Sequence, residues 1–290
     1  MYTLTVMGST KEYLTDSVTR AAGYVSRTIL PRGRGRVAHL TMRYGPRREL
    51  AYTDQWGYRR TALLTDRMEA YGFTGYTVLP RAVARRIRPG DWAIDAGANV
   101  GRVTAHLCHL VGPRGRVWAI EPLPHNAARL RGLKEQNSLD YLMIYEGGLS
   151  SSAGRADLRL PEGGDSAFAS FAKSSGMAGA LSVATWPLDS LVYAPGTGAG
   201  EGRRVAFLKL DVEGYEPQAL LGAERTLREM RPLVFCELND ILLREAGSSS
   251  AALLRQFASL GYAPVSPLPP LEGRVLDALL AARTPQLYDK

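Results

Sequence analysis

The sequence predicts an α/β fold, a mostly parallel sheet with helices on both faces. Three observations predict it. From Asp91 onward, short apolar runs alternate with segments of helical length, the pattern of repeated strand–helix–strand units. Two of those runs, Trp92–Ala96 and Val205–Val212, read as buried strands. Several strands end in polar or acidic residues, at the carboxyl edge where open α/β sheets bind ligands.

The elements follow in order. Residues 1–80 read as a mixed extension, with a helix over Asp16–Leu30 and a strand over Val37–Tyr44. Two more strands, Glu49–Thr53 and Tyr58–Leu64, flank the turn-like Asp54-Gln55-Trp56-Gly57. Val78–Ile87 reads as a helix with Arg85 and Arg86 near its C-terminal end, where they suit the helix dipole, and Pro89-Gly90-Asp91 stops it. The regular part then places strands at Trp92–Ala96, Arg116–Glu121, Leu142–Glu146, Val205–Val212 and Leu233–Leu238. It places helices at Gly101–Leu110, Pro124–Asn137, Glu216–Glu229 and Ser249–Leu260. Arg155–Leu160 and Ser182–Pro187 read as smaller strands around a Gly/Ser/Ala-rich stretch, Gly163–Gly179, and Ala194–Gly202 reads as a surface loop. The tail from Pro264 is assigned a final antiparallel strand pair. Residues 1–80 are thus taken as a basic N-terminal extension and 81–290 as the main domain.

Composition narrows the function classes. A chain of 290 residues, 45% hydrophobic, can bury a full core. Two cysteines, Cys108 and Cys236, form no CxxC pair, and the four histidines show no ligand spacing, which argues against a disulfide scaffold and a zinc site. No apolar run reaches membrane-spanning length, and the first residues lack the pattern of a signal peptide, so a soluble, cytoplasmic chain is expected. The net charge of +8 is unevenly spread: residues 1–90 carry 16 Lys+Arg against 6 Asp+Glu, and the other 200 carry 20 against 22. That skew points to an acidic partner such as nucleic acid, a nucleotide-sugar or anionic lipid; a solvated surface is the alternative.

Two stretches carry chemistry. In WAIDAGANVG a strand runs into Asp95, and Gly97, Asn99 and Gly101 follow, where glycine lets backbone and ligand approach closely. Glu121 lies 26 residues later at the end of the next strand, placed to accept ribose hydroxyl hydrogens. The turn lacks the Gly-x-Gly-x-x-Gly spacing of a pyrophosphate site, and Asp95 would repel pyrophosphate while attracting a methionine amino group. A helix cap or turn former is the other reading of Asp95. In KLDVEGYE, Lys209, Asp211 and Glu213 would share one strand face, costly to bury without partners or a ligand. Glu216 reads as an acid at a helix N-terminus. Glu237 ends the LVFCELN strand.

With these residues in view, the chain resembles the FkbM family of S-adenosylmethionine-dependent methyltransferases. The matching stretches are PGDWAIDAGANVG, VWAIEPLPHNAARLRGLKEQN, GGLSSSAGRADL, WPLDSL, FLKLDVEGYEPQALLGAERTL and RPLVFCELN, in family order from Pro89 to Asn239. The resemblance implies a class I methyltransferase fold, a Rossmann-like, mostly parallel seven-stranded sheet, and an O-methylation activity. It implies that Asp95, Gly97, Asn99 and Gly101 line the methionine side, that Glu121, followed by Pro122, holds the ribose, that Gly147 and Gly148 lie at the adenine, and that Asp211 faces the methyl sulfonium. Two departures stand out: Tyr76-Thr77 where the family has Tyr-Glu, and Glu146-Gly147-Gly148-Leu149-Ser150 where it has Asn-x-Ala-Leu-Ser.

Methyl transfer from a sulfonium needs an aligned oxygen nucleophile that loses a proton. Asp211 or Glu237 is expected to take that proton, with Lys209 or Glu213 holding the carboxylate network. Alternatively Asp211, Glu213 and Glu237 bind a divalent cation such as Mg²⁺. Three functions compete: O-methylation of a small molecule or saccharide, RNA ribose 2′-O-methylation, and nucleotide binding without catalysis. No RNA-binding module is evident, and the intact acids argue against the last. The acceptor pocket is assigned to residues 1–80 and the two irregular loops, with Asp66, Tyr71, Tyr76 and Ser166–Ser170 as candidate lining. A homodimer is compatible with all of this.

Overall fold

A computed structural model describes residues 10–28, 32–75, 79–161, 177–198 and 203–283 of the chain. The chain forms two compact units, Met1–Val78 with Gly132–Ser138, and Leu79–Arg131 with Leu139–Lys290.

The first unit holds helices α1 (Thr10–Thr28) and α2 (Arg34–Tyr44), strands β1 (Glu49–Thr53) and β2 (Arg59–Leu63), and helix α3 (Arg67–Phe73). The strand expected over Val37–Tyr44 is a helix. Ala38 and Thr41 are buried with Val37 and Met42 half-buried beside them, so burial recurs every three to four residues, the period of a helix. β1 and β2 pair antiparallel as expected, and Asp54 closes their turn by accepting the N–H groups of Trp56 and Tyr58. Leu50 and Tyr52 face Ala62, Leu64 and Phe73 in a small core.

The second unit opens with α4 (Arg81–Ala84), a single turn where the sequence suggested a helix over Val78–Ile87; Pro80 takes its N-cap, and Val78 lies outside the described residues. Then come β3 (Trp92–Ala96), α5 (Arg102–Val111), β4 (Arg116–Ile120), α6 (Pro124–Gln136), whose residues from Gly132 onward are grouped with the first unit, and β5 (Leu142–Tyr145). A small sheet follows, made of β6 (Gly148–Leu149), β7 (Gly154–Pro161) and β8 (Met177–Trp186), with the strands in the order β6-β8-β7. The remainder is α7 (Leu188–Val192), β9 (Val205–Leu210), α8 (Glu216–Leu221), α9 (Glu224–Met230), β10 (Leu233–Asn239), α10 (Asp240–Glu245), α11 (Ser250–Ser259), β11 (Tyr262–Pro264) and β12 (Val275–Ala282).

The main sheet has seven strands in the order β11-β12-β10-β9-β3-β4-β5, the arrangement the resemblance implies. The pairs from β10 through β9, β3 and β4 to β5 are parallel, and β12 runs antiparallel to both β10 and β11. All five residues of β3 are buried, as befits its central place. Trp92, Ile94, Leu208, Leu210, Val234 and Phe257 belong to one large core cluster.

The single helix expected over Glu216–Glu229 is two helices. A Cβ on Gly222 would overlap the Ser150 carbonyl oxygen, and the Gly222 carbonyl accepts the Asp189 N–H, so the chain turns there. Asp189 of WPLDSL then caps α9, accepting the N–H groups of Arg225 and Thr226 at 2.9 and 2.8 Å. No helix among the described residues is long and apolar enough to cross a membrane.

Candidate active site

Chain order runs β3→β4→β5 toward one side of the sheet and β9→β10 toward the other, so the direction reverses between β3 and β9. Crevices for ligands open at such reversal points, beyond the carboxyl ends of the strands. The residues singled out from the sequence sit along this edge. Asp211 follows β9, Asp95 lies in β3, Glu121 follows β4, and Glu146-Gly147 follows β5.

Gly97 is required by the fold itself. Its φ is 77°, and a Cβ there would overlap the Asp211 carbonyl oxygen, so the turn after β3 crosses directly over the turn after β9. Asn99 and Gly101 also have positive φ, 52° and 79°. The loop is pinned to β4: Gly97 and Ala98 both donate N–H to the Ile120 carbonyl, and the Asn99 N–H reaches Glu121 Oε2 at 2.7 Å.

Glu121 is therefore already engaged. Its Oε1 also accepts the Leu123 N–H at 3.0 Å and the Asn126 amide at 3.2 Å. A carboxylate offers about four acceptor positions, and these three contacts occupy all but one. Burial raises its pKa, and the N–H groups of Leu123 and Asn99 pull it back. Pro122 directly follows it at the end of β4. Gly147 is buried, and a Cβ there would overlap the Ala184 carbonyl and the Trp186 ring; Gly148 pairs with Thr185 in the small sheet.

Lys209 is buried at the reversal point. Its Nζ donates to the Gly97 carbonyl at 2.8 Å and lies 3.1 Å from Asp211 Oδ2 and 3.4 Å from Asp95 Oδ1. Burial works against the ammonium, but Asp211 and Asp95 outweigh it and hold its pKa above the ordinary lysine value. Asp95 is fully enclosed. Its Oδ2 accepts the Thr104 hydroxyl hydrogen at 2.6 Å, and burial pushes its pKa up while Lys209 pulls it down.

The strand face expected to carry Lys209, Asp211 and Glu213 ends at Leu210. Beyond it the chain turns, and Glu213 has φ 52°. The turn still gathers the acids: oxygens of Asp211, Glu213 and Glu237 lie within 4.8 Å of one another, a spacing that would suit one divalent cation. Like charge and burial show in their pKa values. Burial, Asp211 and Glu237 push Glu213 up to about 9, and burial, Asp211 and Glu216 push Glu237 up to about 8.

Glu216, read from the sequence as a dipole acid, is fully buried and holds this turn in place. Its Oε1 accepts the N–H groups of Val212 and Gly214, and burial lifts its pKa to about 7. Thr104, Asn126 and Asp277 were not singled out. Asp277 lies opposite Glu237 in the β10–β12 register. Only tertiary pairing reveals it, whereas Thr104 and Asn126 follow Asp95 and Glu121 by nine and five residues. Of the acceptor candidates, Asp66 caps α3 by accepting the Glu69 N–H, and Tyr71 packs edge-on to His39, both in the first unit; Tyr76 and Ser166–Ser170 lie outside the described residues.

A model of the methyltransferase FkbM domain matches residues 95–264. No curated protein matches the chain. Among solved structures, the methyltransferase FkbM of Methylobacillus flagellatus is 18% identical over 73% of this chain, with TM-score 0.41, and the match spans 54% of that longer chain. Aeropyrum pernix fibrillarin, crystallised with natively bound S-adenosylmethionine, is 14% identical over 68% of each chain, with TM-score 0.40. TYW2 of M. jannaschii, in complex with the same compound, is 13% identical over 82% of this chain and 87% of its own, with TM-score 0.37.

Proposed function

The chain belongs to the FkbM methyltransferase family, and from that premise we propose that it moves a methyl group from S-adenosylmethionine to a hydroxyl of a small molecule or saccharide. The observation that carries the reading is the order of groups along the sheet edge: Asp211, the Gly97–Gly101 turn, Glu121 and Gly147, on the neighbouring strands β9, β3, β4 and β5. In this reading they meet the sulfonium, the methionine portion, the ribose and the adenine in turn. Glu121 fits a ribose through its remaining acceptor position. Asp95 acts indirectly, by fixing Lys209. The cofactor supplies a methyl group on positively charged sulfur.

The chain's own part is to position the acceptor and take its proton. Asp211 and Glu237 are the candidate bases, and Glu237, raised toward the working pH, is matched to accept a proton from a hydroxyl. Lys209 and Glu213 hold the carboxylates in register. Residues 1–80 are assigned to acceptor recognition and 81–290 to cofactor binding and catalysis. A divalent cation at Asp211, Glu213 and Glu237 is the alternative way to orient vicinal hydroxyls.

RNA ribose methylation is the second reading, favoured by the arginine content of residues 1–90. Against it, the sequence carries no evident RNA-binding module or aromatic-interleaved basic strip. The first test is a thermal shift with S-adenosylhomocysteine, expected, against NADH, not expected; the reverse result overturns the cofactor assignment. Near-wild-type rates in both Asp211→Asn and Glu237→Gln would remove the proposed bases. Loss of activity with chelator and return with Mg²⁺ would establish the cation, and a salt-sensitive gel shift with generic RNA would favour the second reading.

A further inference from the structure

We propose that the α1–α2 face of the first unit docks on an anionic lipid surface, a property separate from methyl transfer. A groove of about 680 Å³ runs between the two helices. Val18, Ala22 and Val25 line it from α1, and Val37, Leu40 and Tyr44 from α2. Spacings of four and three residues, then three and four, put each set on one helix face. Three of these side chains project from the surface: Val18 is 67% exposed, Leu40 57% and Tyr44 65%. An apolar face left in water marks a place where something else packs.

Charge selects the occupant. Between Thr15 and Arg48 the sequence has eight arginines and a single acid, Asp16, which pairs with Arg48 at 2.6 Å. Arg36, Arg43 and Arg47 are exposed on α2 and just beyond it. A second copy of the chain would set two such arginine-rich faces against each other, which like charge opposes. RNA would satisfy the arginines but not the valine- and leucine-lined groove. An anionic bilayer supplies both partners. Its headgroups meet the guanidinium groups, its acyl boundary takes up Val18 and Leu40, and Tyr44 sits at the level between, with the helices lying on the membrane.

The test is flotation of the full chain with vesicles, either phosphatidylcholine alone or equal parts phosphatidylcholine and phosphatidylglycerol. Binding is expected to the anionic vesicles only, and to weaken with added salt. Leu40→Asp should lower that binding at least tenfold, and Arg36→Ser with Arg43→Ser similarly, at about fivefold per arginine. Leu40 and Tyr44 are exposed, so Leu40→Asp and the second variant Tyr44→Ser should melt with the wild type. Failure to bind anionic vesicles overturns the proposal, as does equal binding to both vesicle types or binding that none of the variants changes. A dimer in solution that Leu40→Asp dissociates would assign the face to a second copy. An RNA complex lost in the arginine variants, without lipid binding, would assign it to nucleic acid.

Discussion

Lys209 holds the interior of the site together, because a buried ammonium bridges Asp95 and Asp211. Lys209→Met removes the charge and keeps the length, leaving Asp95 enclosed without its cation. Breaking a buried pair from one side costs about 3–5 kcal/mol, and a denaturant titration should show a loss of that size. Adding Asp95→Asn should recover part of it; full additivity of the two changes would mean they do not interact. The acids next to them make the opposite prediction. The folded-state pKa values of Glu213 and Glu237, about 9 and about 8, lie above the ordinary glutamate value, so the folded chain keeps protons that the unfolded chain releases. Stability is then greatest below about pH 4.5 for these groups and declines as pH rises toward 9. Glu237→Gln removes one repelling charge, so it should raise the melting temperature at pH 8 and flatten the pH dependence; a lower melting temperature with the dependence unchanged would contradict this.

The turns after β3 and β9 illustrate what an element-level pattern discloses. WAIDAGANVG and FLKLDV were legible as strands ending in a glycine turn and an acid, because local residue types decide both. The reason for Gly97 was not legible: it makes room for the Asp211 carbonyl, a residue more than a hundred positions away. Gly97→Ala should therefore cost more than about 2 kcal/mol, since overlap adds to the left-handed backbone. Gly33→Ala, at φ 86° and ψ 2° in the left-handed region with open space around it, should cost only about 1 kcal/mol. Equal losses in the two variants would mean that the crossing is looser than the geometry indicates. The same limit explains the misread elements. Val37–Tyr44 carries mixed residue types whose period becomes clear only from which of them are buried, and the break at Gly222 depends on Ser150 and Asp189 arriving from elsewhere in the sheet layer. Glu216 looked like a dipole acid because sequence shows its helix and not the Val212 and Gly214 N–H groups it accepts.

At the scale of the molecule, the parallel order of the second unit followed from strand–helix alternation, whereas its neighbour relations did not. That β9 lies beside β3 decides that Lys209 meets Asp95, a contact between residues more than a hundred positions apart. The two compact units then allow a test that locates the ligand. S-adenosylhomocysteine at about a hundred times its Kd should stabilise whatever binds it by about 2.7 kcal/mol. If the cofactor lies along the β9–β3–β4–β5 edge, amide hydrogen exchange should slow in 95–101, 119–123 and 211–216 when it is added. The β1–β2 hairpin over 49–63 has its own core of Leu50, Tyr52, Ala62, Leu64 and Phe73, so its exchange should stay the same. Protection that appeared in the hairpin and not at the strand ends would move the binding site to the first unit. The acids at the reversal point would then have to be explained by something other than the cofactor.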